Sequence, residues 1–170
     1  VALAGCRQDM QNQPRLETFE AGAARPLVAG TVAQGQFPAD ELFTTGRVNG
    51  RLSEVFPIPV TRELLLRGQN RFNIYCSPCH GRTGEGNGPI VERGLRQPPS
   101  YHIERLRAAP VGHFFDVITN GFGAMYDYAD RVAPYDRWAV IAYIRALQLS
   151  QNAGAGEAPE AERQRLGGAQ

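Results

Sequence analysis

The densest chemistry in this 170-residue chain lies in five consecutive positions, Cys76-Ser77-Pro78-Cys79-His80. Two thiols three positions apart, followed directly by an imidazole, form the attachment pattern of a c-type haem. The thiols add across the haem vinyl groups as thioethers, and the adjacent imidazole can then ligate the iron from the proximal side. Structural zinc is another use of such a pair, but it usually takes four ligands in two clusters, and there is no second Cys-X-X-Cys. A thioredoxin-like redox pair calls for a surrounding βαβ pattern, of which the sequence gives no sign. The spacing therefore points to one covalently bound haem c held by Cys76, Cys79 and His80.

A haem that only relays electrons usually keeps a second axial ligand, commonly methionine. Met10 lies near the N-terminus, whereas Met125 sits in Gly121-Phe122-Gly123-Ala124-Met125-Tyr126, 45 residues past His80 (125 minus 80). That is enough chain to pass round the haem, so Met125 is the expected sixth ligand. Its alternative role is to fill a gap in the core. His102 and His113 are rival ligands.

The third cysteine, Cys6, ends Leu3-Ala4-Gly5-Cys6, which has the small residues and terminal cysteine of a bacterial lipoprotein cleavage site. On that reading residues 1–5 are a signal-peptide remnant and Cys6 carries acyl groups, two of which anchor stably at about 0.8 kcal/mol per buried methylene. An ordinary buried or free cysteine is the alternative. The sequence has no run of ~18 apolar residues to span a membrane as a helix. A net charge of +1 gives no basic surface for nucleic acid.

The elements that must position these groups begin at residue 59. Thr61 is a candidate N-cap for a helix over 62–74, with Leu65, Gly68, Phe72 and Tyr75 on one face leading into Cys76. Pro134 suits the first position of a last helix over 135–149, with Val140, Tyr143, Ile144 and Leu147 on one face. A glycine inside a helix costs about 1 kcal/mol against alanine. A crossing of these two helices at Gly68 would offset that cost, with Val140 and Tyr143 as the expected contacts of Gly68 and Phe72. Between them, the glycine-rich stretch 81–89 suggests a backbone wrap at the haem edge, with a carbonyl acceptor for the His80 Nδ1–H near Pro89. A short helix over 103–109 follows, then one opened by Pro110 and stopped by Asn120-Gly121.

Residues 7–56 are punctuated by prolines and glycines too often for long elements. Such a length without regular structure suggests a segment lying over partner subunits, or a tether. The expected plan is therefore a leader at 6–58, a haem domain at 59–149 and a flexible tail at 150–170.

Gly68, Phe72, Cys76, Cys79, His80, Met125 and Val140-Ile141-Ala142-Tyr143-Ile144 together resemble class I cytochrome c over about residues 59 to 149. The resemblance implies an all-α fold of three or four helices around one haem, here with a long irregular N-terminal extension. Tyr126 departs from the family's usual proline after the distal methionine. Over the whole chain, Gln13-Pro14, Ala24-Arg25-Pro26, Gly30-Thr31-Val32-Ala33, Pro59-Val60-Thr61-Arg62-Glu63 and Arg71-Phe72-Asn73-Ile74-Tyr75-Cys76 resemble the monohaem cytochrome c subunit of bacterial alternative complex III. That resemblance implies a lipid-anchored subunit on the periplasmic side of the cytoplasmic membrane, in a quinol-oxidising assembly with multihaem and iron-sulfur subunits. It would pass electrons to a soluble carrier or terminal oxidase and have no catalytic site of its own. A free lipid-anchored carrier, a haem sensor or enzyme with an open iron position, and a purely structural subunit are the alternatives.

Overall fold

Caps and apolar spacing agree over two long stretches of the sequence, and both are helices in a computed structural model, which describes residues 13–17, 20–23, 28, 31, 40–154, 156 and 160–167. Cys6 and Met10 lie outside the described residues. The chain divides into two units, Val1–Pro38 and Ala39–Gln170. In the first, the described residues include a turn closed by the Ala23 N–H donating to the Glu20 carbonyl at 3.0 Å. The second holds, in order, α1 (Glu41–Thr45), β1 (Arg47–Val48), β2 (Arg51–Leu52), α2 (Arg62–Tyr75), α3 (Ser77–His80), α4 (Glu104–Arg107), α5 (Val111–Asn120), α6 (Pro134–Asn152) and α7 (Glu160–Gly167). Among the described residues, apart from a two-stranded antiparallel ribbon pairing Arg47 with Leu52 and Val48 with Arg51, the regular structure is helical.

The Thr61 hydroxyl accepts from the Leu64 N–H at 3.2 Å and starts α2, and Pro134 opens α6. The two helices cross at Gly68. A Cβ there would stand 2.0 Å from the Ala139 carbonyl oxygen and 3.1 Å from the Tyr143 Cβ, so only a hydrogen fits. Tyr143 also meets Phe72 edge-on, ring centres 5.3 Å apart. The expected partner Val140 is displaced by one position. The small, fully buried Ala139 lets the backbones approach, and Val140 turns into the cluster around Phe72. Across the same crossing, Asp136 accepts from the Arg67 Nε and from the Arg71 Nε, the latter at 3.1 Å.

The second unit also takes in residues 40–58, ahead of the haem domain expected from residue 59. Asp40 caps α1 through the Phe43 N–H at 2.6 Å. Asn49 and Gly50, both at positive φ, make the tight turn of the ribbon. The carboxylate of Glu41 accepts from both of their N–H groups at 3.0 Å. This segment is part of the helical core. The Trp138 Nε1 donates to the Phe43 carbonyl at 2.9 Å, and the Phe56 ring lies edge-on to Trp138 at 5.8 Å. Gly112 of α5 donates to the Ser53 carbonyl at 2.8 Å, so close that a Cβ on Gly112 would come within 2.1 Å of the Gly46 oxygen. Each piece is too short to show a period in sequence, yet together they cover Trp138 and Phe115, which stack at 4.7 Å and are fully buried. The tail, expected as a flexible end, includes α7, with Arg163–Glu160 and Arg165–Glu162 pairs one turn apart. Among the described residues, no helix is long and apolar enough to cross a membrane.

Candidate haem attachment site

Positions 76, 79 and 80 stand at i, i+3 and i+4, which share a face when the backbone is helical. The backbone is helical there because α2 runs directly into α3. Cys76 caps α2 by donating to the Phe72 carbonyl at 2.9 Å, and its own carbonyl accepts from the Cys79 and His80 N–H groups at 3.2 and 2.9 Å. The Ser77 hydroxyl donates to the Asn73 carbonyl at 2.8 Å and fastens the junction. Both thiols are free and half-buried. Burial pushes the Cys76 thiol up to about 12, and neighbouring Cys79 adds to the shift.

Burial pulls the His80 imidazole down to about 4, so it is neutral at pH 7, the form that binds a metal. Its ring stacks on Tyr101, centroids 4.7 Å apart and planes 12° from parallel. Its Nδ1 is buried without a hydrogen-bond partner. Leaving such an atom unpaired costs about 1–3 kcal/mol, and an orphan of this kind marks a functional group or a missing partner. The acceptor expected near Pro89 is not engaged. The loop instead folds back on α3 through its own backbone, Gly86 donating to the His80 carbonyl at 2.8 Å, Gly88 to Cys79 at 3.1 Å and Ile90 to Pro78 at 3.1 Å. Two free thiols on one face, beside a neutral imidazole with an orphaned nitrogen, fit a covalently attached haem.

Tyr101 is a site residue that the sequence reading missed. It is buried, its N–H donates to the Gly84 carbonyl at 2.8 Å, and its carbonyl accepts from the buried Gln148 amide at 2.8 Å. Phe72 and Phe114 flank its ring, both at 6.2 Å. The available signal was the Pro98-Pro99 pair, which lies two residues before Tyr101.

Met125 is half-buried in the loop between α5 and α6. Phe122 and Met125 exchange backbone hydrogen bonds at 2.9 and 3.0 Å. That turn leaves Phe122 70% and Tyr126 83% exposed. Three residues on, the Tyr128 N–H donates to the Ile118 carbonyl at 2.9 Å, and its side chain packs on the core cluster alongside Cys76. Burial raises the pKa of Tyr128, and charge on Cys79 and Cys76 raises it further. The loop therefore comes within electrostatic reach of the thiols through Tyr128. His102 is tied to the attachment loop, its Nε2 donating to the Thr83 carbonyl at 2.7 Å. His113 lies on α5, edge-on to Phe114 at 5.6 Å.

Residues 63–144 match the family model described as cytochrome C oxidase, cbb3-type, subunit III. No curated protein matches the chain. Among solved structures, the chain is similar to one from the Kuenenia stuttgartiensis reducing HAO-like protein complex, at 21% identity and a TM-score of 0.47. That alignment covers 54% of this chain and 47% of the other, so it spans about half the length of that structure. The matched region runs from the first turn of α2 to the buried face of α6 and encloses the paired thiols and the neutral imidazole, which supports a cytochrome c domain over these residues.

Proposed function

We propose that the protein carries one haem c joined to Cys76 and Cys79 and relays single electrons as a lipid-anchored subunit of a quinol-oxidising membrane complex. The observation that carries the relay is the state of His80: neutral, half-buried, stacked on Tyr101 and with a buried Nδ1 that has no hydrogen-bond partner. The haem, when bound, supplies a one-electron couple that needs no substrate position on iron. His80 and Met125 would hold its iron, and the Met125 thioether would favour the reduced metal. Phe72, Tyr101 and Phe114 exclude water from the proximal side.

The assembly is supported by the resemblance to the monohaem subunit of alternative complex III and by the cleavage pattern at Cys6. It places the protein on the periplasmic face of the cytoplasmic membrane, beside multihaem and iron-sulfur subunits, with a soluble carrier or terminal oxidase as acceptor. Blue-native electrophoresis of detergent-extracted membranes, stained for haem and probed for this chain, tests it. The proposal expects the chain to migrate with a large haem-staining complex and Cys6 to carry acyl groups by mass spectrometry. Migration as a small haem protein would leave a free carrier instead.

A further inference from the structure

Arg137 of α6 is buried, 5% exposed, and each of its three side-chain nitrogens donates. Nε reaches the Val132 carbonyl at 2.8 Å, Nη2 the Ala129 carbonyl at 2.9 Å and Nη1 the Thr119 hydroxyl at 3.0 Å. The guanidinium carbon lies over the Phe115 ring at 5.3 Å. Thr119 in turn donates to the Phe115 carbonyl at 2.7 Å. Among the described residues no carboxylate pairs with Arg137, while neighbouring Asp136 is taken by Arg67 and Arg71. Burying a cation against neutral acceptors alone is costly unless all its donors are satisfied.

The acceptors have a common location. Thr119 is in the last turn of α5, and Ala129 and Val132 are the returning limb of the loop that carries Met125. The Tyr128 N–H to Ile118 bond and the Val132 N–H to Tyr128 bond, both 2.9 Å, lie in the same junction. One fork of donors on α6 thus ties the start of the loop to its end. Lysine, whose three donors radiate from one nitrogen, cannot reach acceptors spread along a planar fork.

We infer that Arg137 is a positioning residue, setting the conformation in which the 121–133 loop presents Met125. The inference rests on the reading of Met125 as the sixth ligand. It is tested on the full-length haem-bearing protein with R137K and T119V, the latter removing one acceptor while leaving Arg137 in place should R137K fail to fold. D136N, which breaks the α2–α6 ion pairs, serves as a comparison for general destabilisation.

In the wild type, the sulfur-to-iron charge-transfer band of the oxidised protein and the far-ultraviolet helix signal should disappear together on heating. In R137K the band should go first, the Tyr128 and Val132 amides should exchange about tenfold faster, and carbon monoxide should bind the reduced protein about tenfold faster. T119V should shift the same readouts in the same direction by less, and D136N should lower both transitions together. A band present in the wild type that still disappears with the helices in R137K and T119V overturns the role of Arg137 alone. So does a D136N protein that separates them equally. A wild type without the band overturns the Met125 assignment and this inference with it.

Discussion

Desolvation lowers the pKa of His80 and of His113, and the sign of its effect can be read at His113. Burial lowers the pKa of His113 from its ordinary 6.5, Arg105 lowers it further, and Asp116 opposes them. Below pH 6.5 the unfolded chain therefore takes up the proton more readily than the folded one. Stability must fall as pH drops from 6.5 toward the lower folded value and level off beneath it. H113Q should make that slope shallower, measured as the urea midpoint of the protein between about pH 7 and 5, while the part that His80 contributes through its own lowered pKa stays. A wild-type slope retained in H113Q would assign the dependence to another group. The residues of the attachment turn were legible in the sequence because their chemistry is local, three groups within five positions. Tyr101 and Arg137 were not, because each acquires its role from partners that folding brings together: His80 for Tyr101, and two loop carbonyls and Thr119 for Arg137.

At the scale of elements, the α2–α6 crossing places the cysteines, and its tolerance is small. Adding one methyl at Gly68 drives a carbon to 2.0 Å from the Ala139 oxygen. The helices must then separate. Alanine gains about 1 kcal/mol in helix propensity, but overpacking a well-filled contact costs about 1–3 kcal/mol and also strains Phe72 and Tyr143. G68A should be destabilised in urea unfolding, and G68V more so; equal stability of G68V and the wild type would contradict the crossing. Both long helices could be read from Thr61, Pro134 and the apolar spacing, whereas α1 and its ribbon could not be read from periodicity. Their one strong local cue was Asn49-Gly50, a turn pair that the surrounding density of glycine and proline concealed.

At the scale of the whole molecule, the domain is larger than its helical pattern suggests, because Trp138 and Phe115 are covered by the segment from Asp40 to Ile58. A chain starting at residue 59 should lose that cover and be less stable than one starting at residue 39 by about 1.5–3 kcal/mol, the cost of exposing one large apolar side chain. Thermal unfolding of the two truncations side by side checks this, and indistinguishable midpoints would return the boundary to residue 59. The fold holds the attachment turn against α2 and Tyr101, and Arg137 of α6 fastens the loop that carries Met125. The central claim is that His80 and Met125 approach the iron from opposite sides of one covalently held haem. Near-infrared magnetic circular dichroism of the oxidised full-length protein, wild type against M125L, tests it most directly. A sulfur-to-iron charge-transfer band present in the wild type and lost in M125L is the predicted result, and a spectrum unchanged by the substitution would contradict the account.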